Sequence, residues 1–439
     1  MNIFYRLLGY ALIVSTANNF IWFALTFFAY LQTRSVIATG FVGGIYLVST
    51  ALSGFWLGSL VDHHKKKNVM LGGSAVTLVL FILGFIVYIL NDKEVFTHVT
   101  SPMLWVFALI LLGGVIAGNL INIAIPSLVT HLVPEDKRDK ANGMFGTVMG
   151  LSFAITSIAS GLILGFFGMF WVLVVAIVMT TLALLVVFFI NIPEKRIIPA
   201  QDASGNAIPE KRNIDIKGTI KVVSKIPGLF GLIFFTTFNN FLGGVFMALM
   251  DAYGLSLMSV QSWGLMWGIV SFGFIFGGLF IAKKGLGKSP LKTLFLVNII
   301  VWTSSIFFTI QPSILLLFVG ALLWMSLYPF IEASEQTIIQ KVVPPERQGR
   351  IFGFAQSIEQ AASPLTAFMI GPIAQLFFIP FMTTGTGVDL IGGWYGVGEG
   401  RGIALVFSLA GFIGLIVTLL AIRSNAYKQL SKRYLAKDG

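Results

Sequence analysis

Cysteine is missing altogether from the 439 residues, which removes disulfide scaffolds, thiolate zinc sites, iron–sulfur clusters and cysteine nucleophiles at once. Charge is scarce too: Asp, Glu, Lys and Arg make up 11% of the chain, against about a quarter of an average soluble domain. Acids are the rarer sign, 18 against 29 Lys and Arg. So few charges could not keep a chain that is 56% apolar dispersed in water, and a soluble multidomain globule is excluded. The only His residues are His63 and His64 side by side, His98 and His131, with no HExxH pair, no GxSxG elbow and no metal-ligand cluster. No enzyme activity, no metal site and no cofactor are expected.

What is abundant suits a bilayer: 41 Phe, 47 Gly and a mean hydropathy of +0.89. Apolar stretches long enough to cross hydrocarbon, about 20 residues each, are predicted near 5–31, 38–61, 69–90, 103–131, 143–167, 170–190, 228–252, 262–282, 291–310, 314–340, 351–381 and 402–422. Twelve spans put both termini on one side. With that side cytoplasmic, 26 of the 29 Lys and Arg lie inside, and only Arg34, Lys93 and Arg401 fall outside. The net charge of +11 therefore reports membrane topology and not a nucleic-acid partner. No cleavable signal peptide is expected, since the first span is too long for an h-region. The stretch Lys283 to Ser289 satisfies a relaxed phosphate-loop pattern, but it sits between two spans and not between a strand and a helix, so no nucleotide is expected.

Between Asn191 and Pro227 the apolar run gives way to Pro193, Pro199, Pro209, seven Lys or Arg and four acids. This predicts a cytoplasmic linker over 192–227, a six-helix bundle on each side (1–191 and 228–422) and a basic tail over 423–439. The bundles repeat one another. Leu132-Val133-Pro134-Glu135-Asp136-Lys137 ending at Gly143 matches Val342-Val343-Pro344-Pro345-Glu346-Arg347 ending at Gly353, and Thr16-Ala17-Asn18-Asn19-Phe20 matches Thr237-Phe238-Asn239-Asn240-Phe241. Such a duplication implies parallel halves about an axis along the membrane normal, with a cavity between them.

The loop Gly58-Ser59-Leu60-Val61-Asp62-His63-His64-Lys65-Lys66-Lys67 resembles the G-x-L-x-D-R-x-x-R/K-R/K signature of the major facilitator superfamily. The passage from Val133 to Gly143 is similar to that superfamily's bacterial drug and macrolide efflux branch, whose members are taken to exchange amphiphilic compounds for protons. The resemblance implies an all-α integral membrane fold with alternating access. Two departures stand out: His63 occupies the usual Arg position, and the fifth-span antiporter pattern has Ser157 and Ile158 where Gly-Pro would be. From the residues themselves, Gly58 and Gly54 make a small-xxx-small face for close helix approach. Asp62, at the inner end, is placed to bond another helix's positive N-terminus and act as a gate, or the basic triplet after it is only a topology anchor. Pro364 and Gly371-Pro372 are expected to interrupt span eleven.

Polar residues inside the spans are the candidate site. Asn18, Asn19, Asn239 and Asn240 fall near mid-span at matching depths, and adjacent side chains point about 100° apart, so at most one of each pair faces a central cavity. Asn119 and Asn122 face the same choice between substrate and helix packing. The acids within spans are Asp251, Glu332, Glu335 and Glu359, and no Lys or Arg lies in the interior of any predicted span to pair with them, Arg6 and Lys292 standing at span ends. Asp251 is near an outer end and reads as interfacial. Glu332 and Glu335, at i and i+3, share a face, and Glu332 aligns with Asn122 in the repeat. Glu332, with Glu335 as its closest helper, is expected to carry a proton or meet a cationic substrate, since two carboxylates a turn apart in low dielectric do not both ionise readily. Glu359 is a second relay group or part of an inner polar network. The expected protein is a monomeric exporter of the bacterial cytoplasmic membrane, with a small-molecule substrate, protons and the lipid bilayer as partners. An uncoupled facilitator or importer, and a transporter-like receptor or lipid-handling protein, are the alternatives.

Overall fold

Hydrocarbon offers no partner to backbone N–H and C=O groups, so apolar stretches of this length must satisfy them internally as helices. A computed structural model describes residues 2–33, 36–193 and 216–436, and no strand occurs among them. Its helices are α1 (Asn2–Thr33), α2 (Val36–His63), α3 (Lys66–Leu90), α4 (Pro102–Gly118), α5 (Ile121–Leu132), α6 (Arg138–Phe189), α7 (Ile216–Lys225) and α8 (Leu229–Leu257). They continue with α9 (Val260–Lys284), α10 (Pro290–Phe307), α11 (Ile314–Val342), α12 (Gln348–Ile373), α13 (Ile379–Thr383), α14 (Thr386–Tyr395), α15 (Glu399–Arg423) and α16 (Asn425–Ala436).

Among the described residues, eleven helical segments are long and apolar enough to cross a membrane. One of them, Glu135–Phe189, has 55 residues, enough for two crossings of about 20 each. It divides at Gly168, whose φ of 79° and ψ of 175° are non-helical and open to a residue without Cβ. The two crossings on either side match the predicted fifth and sixth spans, which makes twelve among the described residues. The fourth predicted span is two helices: α4 stops at Gly118, Asn119 and Leu120 form a turn, and α5 resumes at Ile121.

One expectation needs correcting, and two segments gain detail. Pro364 and Pro372 do not interrupt span eleven, because both sit inside continuous α12; the irregularity is a π-helical stretch, Ala374–Phe378, just after Pro372. The predicted linker is helical over Ile216–Lys225, while its stretch 194–215, with Lys195, lies outside the described residues, as does Arg34. The basic tail is also helical, since α16 buries Leu430 and Tyr434 and sets Tyr434 under the Lys341 ammonium at 4.1 Å.

The chain folds as two compact units, Met1–Ile220 with Val343–Ser357, and Lys221–Val342 with Ile358–Gly439. The passage from one to the other near residue 357 falls inside α12. The first unit's core gathers Phe28, Tyr88, Phe96 and Phe107, with Phe96 supplied by a short 3-10 turn between spans. The second unit's core stacks Phe246 on Phe407 at 4.9 Å, with Trp302 and Phe308 around them. Large apolar side chains left outside these cores, such as Leu52, Phe166, Phe276 and Phe368, are exposed, as lipid-facing positions are.

Candidate functional site

In the first unit the amides of the Asn pair turn to different helices. Asn18 is buried, its Nδ2 donates to the Val115 carbonyl of α4 at 3.5 Å, and its Oδ1 has no partner. It sits so close to Gly118 that a Cβ there would run into the amide. Asn19 donates to Ser152 Oγ on α6 at 3.1 Å. Asn119, in the turn between α4 and α5, donates to the Tyr46 hydroxyl at 3.0 Å, and Tyr46 packs on Trp22 with ring centroids 4.3 Å apart. Asn122 is half-buried, and its side chain makes no hydrogen bond among the described residues.

The same unit contains the Asp62 clamp. Gly54 and Gly58 bring α2 against α12, where a Cβ on Gly58 would lie 2.6 Å from the Gly349 carbonyl and 3.1 Å from Gly353 Cα. That approach puts the Asp62 carboxylate under the first turn of α12. Its Oδ1 accepts from Gly349 N at 2.6 Å and its Oδ2 from Arg350 N at 2.8 Å, with Arg350 Nε 3.7 Å from Oδ2. Two otherwise orphaned helical N–H groups and a positive helix end thus meet one buried carboxylate. His63, in the position the signature gives to Arg, faces Arg350: Nη2 and Nε2 are 2.6 Å apart, while Nδ1 lies 2.7 Å from the Ser59 carbonyl. Gln348, fully buried, accepts from Thr130 Oγ1 at 2.7 Å and fastens the same turn of α12.

In the second unit Asn239 donates to its own helix at Phe235 O, and its Oδ1 accepts from Trp302 Nε1 of α10 at 2.7 Å. The Asn240 side chain is half-buried and makes no hydrogen bond among the described residues, while its backbone carbonyl accepts from Ser363 Oγ of α12. Asp251 is exposed near the end of α8, where it accepts from Trp263 Nε1 at 2.9 Å.

The carboxyl cluster is wider than the expected pair. Glu335 meets Glu359 across two helices, the two carboxyls within hydrogen-bonding reach of each other, and Glu332 is near enough to act electrostatically on both. Thr236 of α8 lies 3.3 Å from Glu335 Oε1 and 3.0 Å from Glu359 Oε1. The physical reason is that i,i+3 side chains share a helix face but are splayed along it, whereas α12 and α8 bring groups head-on. Thr236 carries one hydroxyl proton, yet the Leu232 and Ile233 carbonyls are also within 3.1 Å. When that proton goes to the backbone, the hydroxyl can only accept, and a carboxyl must supply the proton of the Thr–Glu bond. Two carboxyls in hydrogen-bond contact likewise need a proton between them. Glu332 stands one turn above, half-buried, with the Tyr328 hydroxyl beside it.

Sequence reasoning missed three residues. Thr236 immediately precedes the repeated Asn motif, and the repeat offset aligns it with Ser15, whose hydroxyl reaches Met149 Sδ at 3.2 Å. Tyr328 was available from its i−4 spacing to Glu332. Arg401, expected on the outer side, lies in the first turn of α15 and is buried within the protein. Its guanidinium donates to the carbonyls of Tyr395 (2.6 Å), Thr309 (2.8 Å) and Ile310 (2.9 Å) and to the Tyr253 hydroxyl (3.3 Å), and packs on the Tyr395 ring. Four neutral oxygens hold this cation, and it forms no pair with the carboxyl cluster.

Known proteins agree with this architecture. The sequence model of the Major Facilitator Superfamily matches residues 7–367. Macrolide efflux protein A of Streptococcus pyogenes is 23% identical over 353 residues, covering 78% of this chain and 82% of its own. Inner membrane transport protein YajR of Escherichia coli (strain K12) is 25% identical over 333 residues, covering 74% of this chain and 66% of its own. Among solved structures, a bacterial homologue of the iron transporter ferroportin in its outward-facing state superposes with a TM-score of 0.70 at 14% identity, over 97% of this chain and 100% of that one. With twelve crossings, a duplicated half and a family match over most of its length, the chain belongs to the major facilitator superfamily and is a multi-pass membrane transporter of small molecules, not an enzyme.

Proposed function

We propose that the protein exports an amphiphilic small molecule in exchange for protons by alternating access, from a bacterial cytoplasmic membrane with both termini inside. The observation that carries this reading is the Glu335–Glu359–Thr236 contact. It is a carboxyl pair within spans, it has no basic partner among the described residues, and its own hydrogen bonding requires a proton. Such a group can load a proton from one side and release it to the other when solvent access alternates. Likeness to macrolide efflux protein A supports export over import, and the concentration of Lys and Arg on one side supports the orientation. Asp62 with Gly58 is the gate: release of Gly349 and Arg350 from the carboxylate frees the start of α12. Asn122 in the first unit, and Asn240 and Glu332 in the second, are the polar groups left to meet substrate, and the working unit is a monomer.

The test is transport in proteoliposomes under an imposed pH gradient, beside substrate counterflow without one. Glu335→Gln and Glu359→Gln keep shape and hydrogen bonding but remove titration. Each is expected to abolish gradient-driven transport while sparing counterflow. Wild-type gradient-driven rates in both variants would remove the proton pair from the mechanism, and a wild-type protein that ignores the gradient would make it a facilitator.

A further inference from the structure

His63 ends α2 beside the Asp62 clamp, half-buried, and its imidazole is engaged through both nitrogens. Nδ1 lies 2.7 Å from the Ser59 carbonyl and 3.2 Å from the Ser59 hydroxyl. A carbonyl oxygen can only accept, so Nδ1 carries a proton. Nε2 lies 2.6 Å from Arg350 Nη2, and a guanidinium can only donate, so Nε2 presents its lone pair. The two contacts hold together in one form of the ring, neutral with the proton on Nδ1. An Arg, the residue of the loop signature at this place, carries donors alone and could not receive Arg350. The contact matters to the clamp because Arg350 Nε stands 3.7 Å from Asp62 Oδ2, too far for a hydrogen bond. Charge draws the guanidinium toward the carboxylate, and His63 fixes where it points. The charged groups around the ring are Arg350 from α12, Asp62 from its own helix and Lys66 from the first turn of α3, which is buried and acts electrostatically on Asp62. His64 is exposed, and its Nδ1 lies 3.2 Å from the Leu60 carbonyl instead.

Resting on the reading of Asp62 as the gate, we infer that His63 is a positioning residue that keeps Arg350 at the Asp62 carboxylate only while its ring is neutral, so that protonation from the cytoplasm loosens the inner latch. A proton added to Nε2 turns the acceptor into a donor and sets one cation against another. The backbone bonds from Gly349 and Arg350 to Asp62 remain, but the guanidinium that holds the carboxylate by charge is driven off. Histidine is the side chain suited to this, since its charge changes within the range of cytoplasmic pH. Exchange delivers protons to the inner side, so the latch responds to a product of the transport cycle.

Amide hydrogen exchange at Gly349 and Arg350 of the purified full chain in nanodiscs tests this, with each rate divided by that of an unstructured peptide at the same pH. Protection in wild type is expected to fall about tenfold between about pH 8 and about pH 5.5, the size of one hydrogen bond to a charged group. His63→Gln, whose side-chain oxygen accepts from Arg350 at either pH, should stay within about twofold across that range, and His63→Ala should show the low value throughout. Nitrogen-15 NMR of labelled histidine adds a signature that loss of packing would not produce. At the higher pH the His63 ring, identified by its absence from His63→Gln, should carry its proton on Nδ1. A proton on Nε2 there, pH-independent protection in wild type, or the wild-type fall retained in His63→Gln overturns the inference; the last of these assigns the titration to Asp62. Unchanged protection in Asp62→Asn strikes the gate reading itself, whereas lowered protection in Asp62→Asn with His63→Gln tracking wild type strikes only the role of His63.

Discussion

The Asn pairs of the two halves make an instructive comparison. Thr16-Ala17-Asn18-Asn19-Phe20 and Thr237-Phe238-Asn239-Asn240-Phe241 are nearly the same words at the same depth, yet their amides are used differently. In the first unit both side chains are turned to neighbouring helices, Asn18 toward α4 and Asn19 toward α6. In the second, Asn239 is held by an indole of α10 and Asn240 keeps its amide open. Buried charge differs in the same way. The first unit satisfies Asp62 with backbone N–H groups and an Arg. The second unit holds its carboxyls against each other and its Arg401 against carbonyls. Duplication copies a side chain and its depth, but the partner is whatever the diverged neighbour presents.

Six substitutions would break or sharpen that contrast, the largest effect first. Arg401→Met leaves three buried carbonyls of the second unit without their donor, and a stability loss on the order of 3 kcal/mol is expected; thermal unfolding of the purified variant in detergent measures it. Asp62→Asn loses the charge and one of two acceptors, which should cost about 1–3 kcal/mol at that contact. Faster amide hydrogen exchange at Gly349 and Arg350, with exchange in α15 unchanged, is the expected signature, and uniform exchange along α12 would count against a clamp.

The amides then separate by size. Asn239→Ala leaves the Trp302 indole N–H unpaired and is expected to cost about 1–2 kcal/mol. Asn18→Ala should cost less than about 1 kcal/mol, because its one bond is long at 3.5 Å and its Oδ1 is already unpaired. Thermal shifts compared side by side decide whether the halves differ in this order. The smallest stability effect, within about 0.5 kcal/mol, is expected for Asn240→Ala and Asn122→Ala, which break no side-chain hydrogen bond. For these two the readout is substrate affinity, which should fall while folded yield stays at the wild-type level; unchanged affinity in both would leave the open amides without a binding role.

Much of this was legible along the chain. Asp62 announces its role through position alone, since an acid after Gly58 at the end of a span has a helix terminus as its natural partner. The intramembrane acids were visible because any carboxyl in so apolar a stretch is exceptional. The pairing of Glu335 with Glu359 was not visible: they are 24 positions apart on different helices, and helical periodicity relates only residues of one helix. The burial of Arg401 was not visible for a related reason. Hydropathy begins the last span just after it, and only the carbonyls of Tyr395, Thr309 and Ile310 make its burial tolerable.

The sequence by itself determined the class of molecule, the twelve crossings and the duplication. Hydrocarbon forces each apolar stretch to close its hydrogen bonds locally, so length and composition are sufficient to count helices. Tertiary structure alone decided which groups meet: Thr236 between two carboxyls, the Phe274 ring of α9 against Tyr328, and one amide of the second Asn pair bound while the other stays open. Those contacts depend on the rotation and offset of one helix against another. Packing of glycines and large side chains across the interface sets that register, and no single helix carries the information.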